Sequence, residues 1–107
     1  MAYDEGLAQR IRELRGAGLN EKKMFGGLAF MDRGNMAFGV MGEVLMVRVG
    51  ADNHESALSQ PHAREMDFTG RPVRGMIYVD APGIEDDDDL QAWLQRGLSF
   101  TATLPAK

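Results

Sequence analysis

Residues 22–49 constrain the fold more strongly than any other part of the sequence. Large apolar side chains alternate there with small residues and methionines: Leu28 and Phe30; Met36, Phe38 and Val40; Leu45, Val47 and Val49. Alternation with a period of two is typical of β-strands. Turn-forming residues at 32–35 and 41–43 separate the apolar runs. Because these connections are short, we predict three consecutive antiparallel strands.

The second face of this predicted sheet is less polar than expected. Ala29, Met31, Gly39 and Met46 alternate with the large apolar residues, and Arg48 is the charged residue among them. An antiparallel sheet that faces water normally carries polar side chains on its exposed face. We therefore expect that something covers this face.

Two amphipathic helices flank the strands. Tyr3, Leu7, Ile11 and Leu14 form one apolar stripe, and Gly16 follows it as a stop signal. A second helix is predicted over 85–103, with a stripe that includes Leu90, Leu94, Leu98 and Thr101. Its start explains the acidic run 85–89, since carboxylates favour a helix N-terminus. A short helix ending near Leu58 and strands at 63–68 and 76–79 complete a two-layer α+β fold.

Length and composition limit the classes of protein. The 107 residues, with 44% hydrophobic content, predict a single domain over 1–107. The sequence has no cysteine, no apolar run long enough to span a bilayer and no signal peptide, so we expect a cytoplasmic protein without membrane attachment. Sixteen acidic against twelve basic residues argue against direct nucleic-acid binding.

No arrangement of residues predicts catalysis. The acidic run 85–89 does not fit a calcium loop, because its sixth and twelfth positions from Asp86 are Gln91 and Gly97. His54 and His62, the two histidines, have no spacing typical of a zinc site. We therefore predict no enzyme, no catalytic or metal-binding residues and no cofactor.

Three arginines and the methionines are the candidate binding groups. Arg48, Arg71 and Arg74 could form an anion pocket, or each could make an ordinary ion pair, for example Arg48 with Asp67 or Asp80. Seven of the eight methionines lie between positions 24 and 76. They either fill the core or line a contact with a protein or a second copy.

Several segments carry a family resemblance that covers nearly the whole chain. They are Lys23–Phe30 with the phrase Met24-Phe25-Gly26-Gly27, Gly34–Ala37, Leu45–Gly50, Met66–Pro72 and the region around Trp93. The chain resembles the N-terminal domain of the TfoX/Sxy family, standing alone without the family's C-terminal domain. The resemblance implies a secretion-chaperone-like α+β fold and a non-enzymatic role. The best-known members regulate natural competence genes as coactivators with the cyclic-AMP receptor protein.

Together these observations predict a cytoplasmic regulatory or protein-interaction domain that forms a homodimer. The resemblance adds a transcription-related protein partner. Met24, Phe25, Gly26 and Gly27 join the arginines as candidate interaction residues. The alternative is a domain that binds a small anion or metabolite through Arg48, Arg71 and Arg74.

Overall fold

The computed structural model describes residues 3–24, 26–68 and 70–107, without side-chain detail at positions 68, 71 and 72. Its α-helices are α1 (Glu5–Arg15), α2 (His54–Leu58) and α3 (Asp87–Thr101). Its strands are β1 (Asn20–Met24), β2 (Gly27–Asp32), β3 (Asn35–Met41), β4 (Val44–Arg48), β5 (Ala63–Phe68) and β6 (Arg71–Val79). Single 3-10 turns at Ala51–Asn53 and Ala81–Ile84 precede α2 and α3.

All six strands form one antiparallel sheet in the order β1-β2-β3-β4-β6-β5. Helix α3 packs across β3 and β4, and α1 packs against α3. Helices at the two ends of the chain therefore share a layer against the sheet, and the predicted α+β fold is confirmed.

The prediction of three strands within residues 22–49 is wrong in number, because the structure has four. Met24 pairs with Gly27 in antiparallel register, so β1 ends and β2 begins within this phrase. Gly26 has a φ of +77°, a conformation that glycine adopts at little cost. Phe25 lies outside the described residues. The apolar character of this phrase made two strands and a turn look like one strand.

Strand β6 is also longer than predicted. It begins at Arg71 and not at Met76, so it extends five residues further toward the N-terminus than the predicted strand. Strand β5 pairs with this longer strand from Ala63 to Phe68. The proline at 72 fits the strand because β4 pairs with β6 only from Met76 onward, so β6 has a neighbouring strand on one side only at this position.

The hydrophobic core lies between the sheet and the two long helices. Phe30 and Phe38 are fully buried on neighbouring strands, and their ring centroids are 5.6 Å apart. Leu94 of α3 and Ile11 of α1 are also fully buried in this cluster. The apolar stripes predicted for both helices are thus the surfaces that bury against the sheet.

The acidic run marks the start of α3, as predicted. The Asp86 side chain caps the helix by accepting a hydrogen bond of 2.8 Å from the backbone N–H of Asp88. Arg10 of α1 donates to Asp87 over 2.9 Å. This ion pair links the N-terminal helix to the C-terminal helix within one molecule.

The β2–β3 hairpin holds the C-terminal segment. The buried Asn35 side chain donates a hydrogen bond of 2.9 Å to the carbonyl of Pro105. The Thr101 hydroxyl donates to the Asp32 carboxylate over 2.8 Å, and the Arg33 guanidinium donates to the Thr101 carbonyl. These bonds fix the last turn of α3 and the segment that follows it.

An ion pair joins α1 to the edge strand β1 and gives the fold a pH dependence. Arg12 donates to Glu21 over 2.8 Å, and this hydrogen bond lowers the pKa of the Glu21 carboxyl below its ordinary value of 4.5. A lowered folded-state pKa means that the pair stabilises the fold above pH 4.5 and loses this effect as pH falls through the lowered value. Both side chains remain about one-third exposed, so we expect at most about 1 kcal/mol.

Urea unfolding of the protein and of Glu21→Gln, at neutral pH and again near pH 3, tests this expectation. The variant should be less stable than the parent at neutral pH, and the difference should shrink at low pH. Glu43→Gln is the matched control, because Glu43 is exposed and makes no ion pair within the described residues. A difference that stays constant with pH would contradict the assignment.

Candidate functional site on the second face of the sheet

One row of directly paired residues crosses all six strands on the face opposite the hydrophobic core. Successive register pairs define this cross-sheet row as Lys22, Ala29, Gly39, Met46, Tyr78 and Arg64. Residues that pair directly across antiparallel strands project from the same face. The row therefore has an apolar centre with a cation at each edge of the sheet.

Methionines surround the centre of this row. Met46, Met66 and Met76 are buried together, and Met36, Met41 and Tyr78 pack against them and remain half-buried. We call these six residues the methionine face. No helical residue belongs to this cluster in the described part of the chain. Side chains of the sheet itself pack together on this face, and the expectation that something else covers it stays a prediction.

Two of the methionine side chains pack against glycines of the sheet. A Cβ atom placed on Gly39 would stand 3.0 Å from the Met46 methyl carbon, and one placed on Gly27 would stand 3.0 Å from Met41 Cγ. Both distances are shorter than ordinary van der Waals contact. Small residues on the strands therefore create the space into which the long, flexible side chains fold.

Tyr78 is the one aromatic residue of the methionine face, and its neighbours hold it from two sides. Its hydroxyl donates to Met41 Sδ over 3.6 Å. The Arg64 guanidinium carbon lies 4.9 Å from the ring centroid, and Arg64 also pairs with Asp80 at 3.0 Å. The cation at the β5 edge is therefore fixed in position beside the apolar centre.

The structure gives two of the three predicted arginines local partners. Arg48, at the end of β4, places its guanidinium carbon 5.2 Å from the ring centroid of Phe100 on α3. Arg74 pairs with Glu55 over 3.2 Å, where both side chains are largely exposed. The side chain of Arg71 lies outside the described residues. The anion pocket stays a prediction.

Arg48 does not form the ion pair with Asp80 that the sequence suggested. Asp80 pairs with Arg64 and not with Arg48. Strand order explains the difference, because Arg64 lies directly opposite Tyr78 in the β5–β6 register, two residues from Asp80. Arg48 lies at the end of the adjacent strand pair, opposite Met76.

The segment from Met24 to Gly27 lies beside the methionine face, where Gly27 packs next to Met41. Met24 is half-buried, Gly26 is exposed in the turn, and buried Gly27 provides the space for Met41. Phe25 lies outside the described residues. The role of this phrase in binding stays a prediction, and the sequence analysis did not identify Tyr78 and Met66 as members of the same surface. Their membership depends on strand register, which alternation within each strand does not reveal.

The two histidines have different environments. His54 is buried, and its Nδ1 atom accepts a hydrogen bond of 2.9 Å from the backbone N–H of Gly75, which ties α2 to β6. His62 is exposed in the turn before β5. Within the described residues, no three His, Asp or Glu side chains come together as a metal site.

Comparison with known proteins identifies one family. The family model for the TfoX N-terminal domain matches residues 13–101. A search of curated proteins and a search of solved structures each gave no match. None of the helices described here has the length and apolar character needed to cross a membrane.

Proposed function

The chain belongs to the TfoX N-terminal domain family, and from this premise we propose that it is a non-enzymatic, cytoplasmic protein-interaction domain with a regulatory role. Its binding surface is the methionine face, and its ligand is an acidic amphipathic segment of a partner protein. The observation that carries the proposal is the cross-sheet row, in which an apolar centre lies between two cations.

Methionine suits a surface that must accept another protein. Its side chain is unbranched and has three rotatable bonds, so it can rearrange around different apolar anchors at low cost. Met36 and Met41 are half-buried and lie beside buried Met46. A partner helix could displace the Met36 and Met41 side chains. Its apolar face would then contact the buried Met46, as in other complexes in which a helix binds in a hydrophobic groove.

The charges at the edges favour an acidic partner. Lys22 is exposed at the β1 edge, and Arg64 is exposed at the β5 edge. The whole chain carries a net charge of −4. Arg64 pairs with Asp80, whereas Lys22 makes no ion pair within the described residues. Complementary charge directs association and excludes partners of the wrong sign. A segment with carboxylates on both sides of an apolar stripe would pair with Lys22 at one edge and compete with Asp80 for Arg64 at the other.

A matched pair of lysines tests the proposal. Lys22 lies opposite Ala29 in the cross-sheet row, whereas Lys23 lies opposite Leu28, which faces the core. Both lysines are exposed. We expect Lys22→Glu to weaken binding of an acidic amphipathic peptide about fivefold, since exposed charge pairs each contribute up to about 1 kcal/mol. Lys23→Glu should have a much smaller effect.

Fluorescence polarisation with two synthetic peptides is the measurement. One peptide combines leucine and glutamate with a helical period, and the other replaces each glutamate by lysine. The acidic peptide should bind and the basic one should not, and Met36→Gln should weaken binding further. Equal binding of the two peptides, or equal effects of the two lysine variants, would contradict the proposal.

Sedimentation of the free protein addresses the homodimer predicted from the sequence. A second copy placed face to face would bring Lys22 and Arg64 of each molecule to the same apolar surface. A dimer that dissociates on Met36→Gln would assign the methionine face to self-association and overturn the acidic partner. A monomer that binds the acidic peptide would support the proposal.

A further inference from the structure

We infer that a cavity between α3 and the turn before β5 binds the zwitterionic form of a small amino acid. This site is separate from the methionine face and does not depend on the function proposed for it. The cavity, called here the α3 cavity, has a volume of about 300 Å³. Its lining comes from α3 and from the turns before β5 and α3, and includes Asp89, Trp93, Arg96, His62 and Gly83.

One side of α3 forms the floor of the cavity. Asp89, Ala92, Trp93 and Arg96 follow one another at intervals of three, one and three residues, which places them on one helix face. Ala92 has a short side chain and leaves open the space in front of the helix. The floor therefore carries an anion at its N-terminal end, an indole in the middle and a cation at its C-terminal end.

Arg96 is positioned to receive a carboxylate. Its guanidinium carbon lies 5.2 Å from the centroid of the Trp93 ring, and the indole itself is almost completely buried. Arg96 forms no ion pair within the described residues. A guanidinium held on an aromatic ring keeps its N–H groups free at the edge, where a carboxylate can accept two hydrogen bonds.

Asp89 supplies the opposite charge. It precedes Arg96 by seven residues, which separates their Cα atoms by roughly 10 Å along the helix axis. The two side chains do not pair with each other, and Asp89 makes no other ion pair in the described part of the chain. A simple anion or a simple cation would meet one matching charge and one repelling charge. A zwitterion satisfies both, with its carboxylate on Arg96 and its ammonium group on Asp89.

The opposite wall is formed by a fixed turn. His62 has a φ of +65°, which is uncommon for a residue other than glycine. Its carbonyl accepts a hydrogen bond of 3.0 Å from the backbone N–H of Asp80, and its Cβ would be 2.9 Å from a Cβ placed on Gly83. Close packing of the turn on Gly83 holds the wall in place. Pro61 and Pro82 add apolar surface for the side chain of the ligand.

The size of the cavity limits the ligand to a small molecule. A volume of about 300 Å³ is at the lower end of the range for ligand sites in proteins. A single amino acid with an aliphatic side chain fits this range. The Gln60 side chain also lines the cavity, and its amide nitrogen donates to the Ser56 carbonyl over 3.4 Å.

Trp93 is the only tryptophan in the chain, so its fluorescence reports directly on the α3 cavity. We expect a saturable change on titration with L-leucine. 3-Methylbutylamine lacks the carboxylate and 4-methylpentanoate lacks the ammonium group, so each should bind about tenfold more weakly, the ratio that one lost charge-assisted hydrogen bond gives. Calorimetry with the same three compounds provides an independent measure of binding.

Matched variants assign the charges. Asp89→Asn and Arg96→Gln should each weaken L-leucine binding about tenfold, whereas Asp88→Asn and Arg15→Gln should leave it unchanged. Circular dichroism confirms that each variant is folded. The inference is overturned if L-leucine produces no response at tens of millimolar, if 4-methylpentanoate binds as tightly as L-leucine, or if Asp89→Asn behaves like Asp88→Asn.

Discussion

Replacing Phe38 with alanine is expected to lower the free energy of unfolding by about 3–5 kcal/mol. Phe38 is completely buried between the sheet and α3, and its ring packs on Phe30 of the neighbouring strand. The substitution removes this contact and leaves a cavity that the surrounding strands cannot fill. Since small domains are stable by only about 5–15 kcal/mol, the variant should lose a large part of its stability.

Urea unfolding followed by circular dichroism measures this loss. Phe38→Leu is the control, because it keeps most of the apolar volume and should cost clearly less than the alanine variant. Equal losses for the two variants would mean that the aromatic ring is not tightly packed at this position.

Replacing Gly97 with alanine should cost about 1–3 kcal/mol, although alanine is the better helix former. Gly97 lies in the middle of α3, where the helix approaches β3 closely. A Cβ atom at this position would stand 2.5 Å from the Ala37 carbonyl oxygen and 3.1 Å from Phe38 Cδ2. The first of these neighbours is backbone and cannot move without shifting the strand.

Gly6→Ala is the matched control for this prediction. Gly6 lies in α1 and is exposed, and its added Cβ would meet only Asp4 Oδ1, the side-chain atom that accepts the capping hydrogen bond from the Leu7 N–H, at 3.1 Å. The control variant should be neutral or slightly stabilised, so thermal melts of the two variants should shift differently. A stabilised Gly97→Ala variant would contradict the close approach of α3 to the sheet.

The sequence predicts the helices of this fold well because each helix carries its own signals. Ile11 and Leu94 lie in stripes with a helical period, and both are fully buried. The acidic run before Leu90 indicates where α3 begins, and the Asp86 cap confirms it. These features depend on residues close together in the chain, so a single sequence is enough to identify them.

The strands are predicted less completely because their arrangement depends on distant contacts. The reversal at Gly26 depends on one backbone angle inside an apolar run. Strand β6 lies between β4 and β5, so the neighbour of β4 is not the next strand along the chain. This order brings Tyr78 beside Met46 and Arg64 beside Tyr78. The methionines were identified as a candidate contact surface, but the cross-sheet row could not be derived without this order.

Arg48 illustrates the same limit for a single residue. Its position in an apolar strand predicted an ion pair, for example with Asp67 or Asp80, whereas the structure places its guanidinium beside the Phe100 ring. Phe100 comes near only because α3 crosses the sheet and ends beside β4. The sequence shows that an arginine lies in an apolar strand. Identifying its neighbour requires the three-dimensional arrangement of the whole chain.

The methionines that fold onto Gly27 and Gly39 have a consequence for behaviour in concentrated solution. An exposed apolar sheet face causes proteins to aggregate. Here the Met41 and Met46 side chains pack against the backbone of their own sheet, and Met46 is only 3% exposed. We therefore expect little aggregation at high concentration. The buried methionines would become available for apolar contact only when a partner displaces the outer side chains.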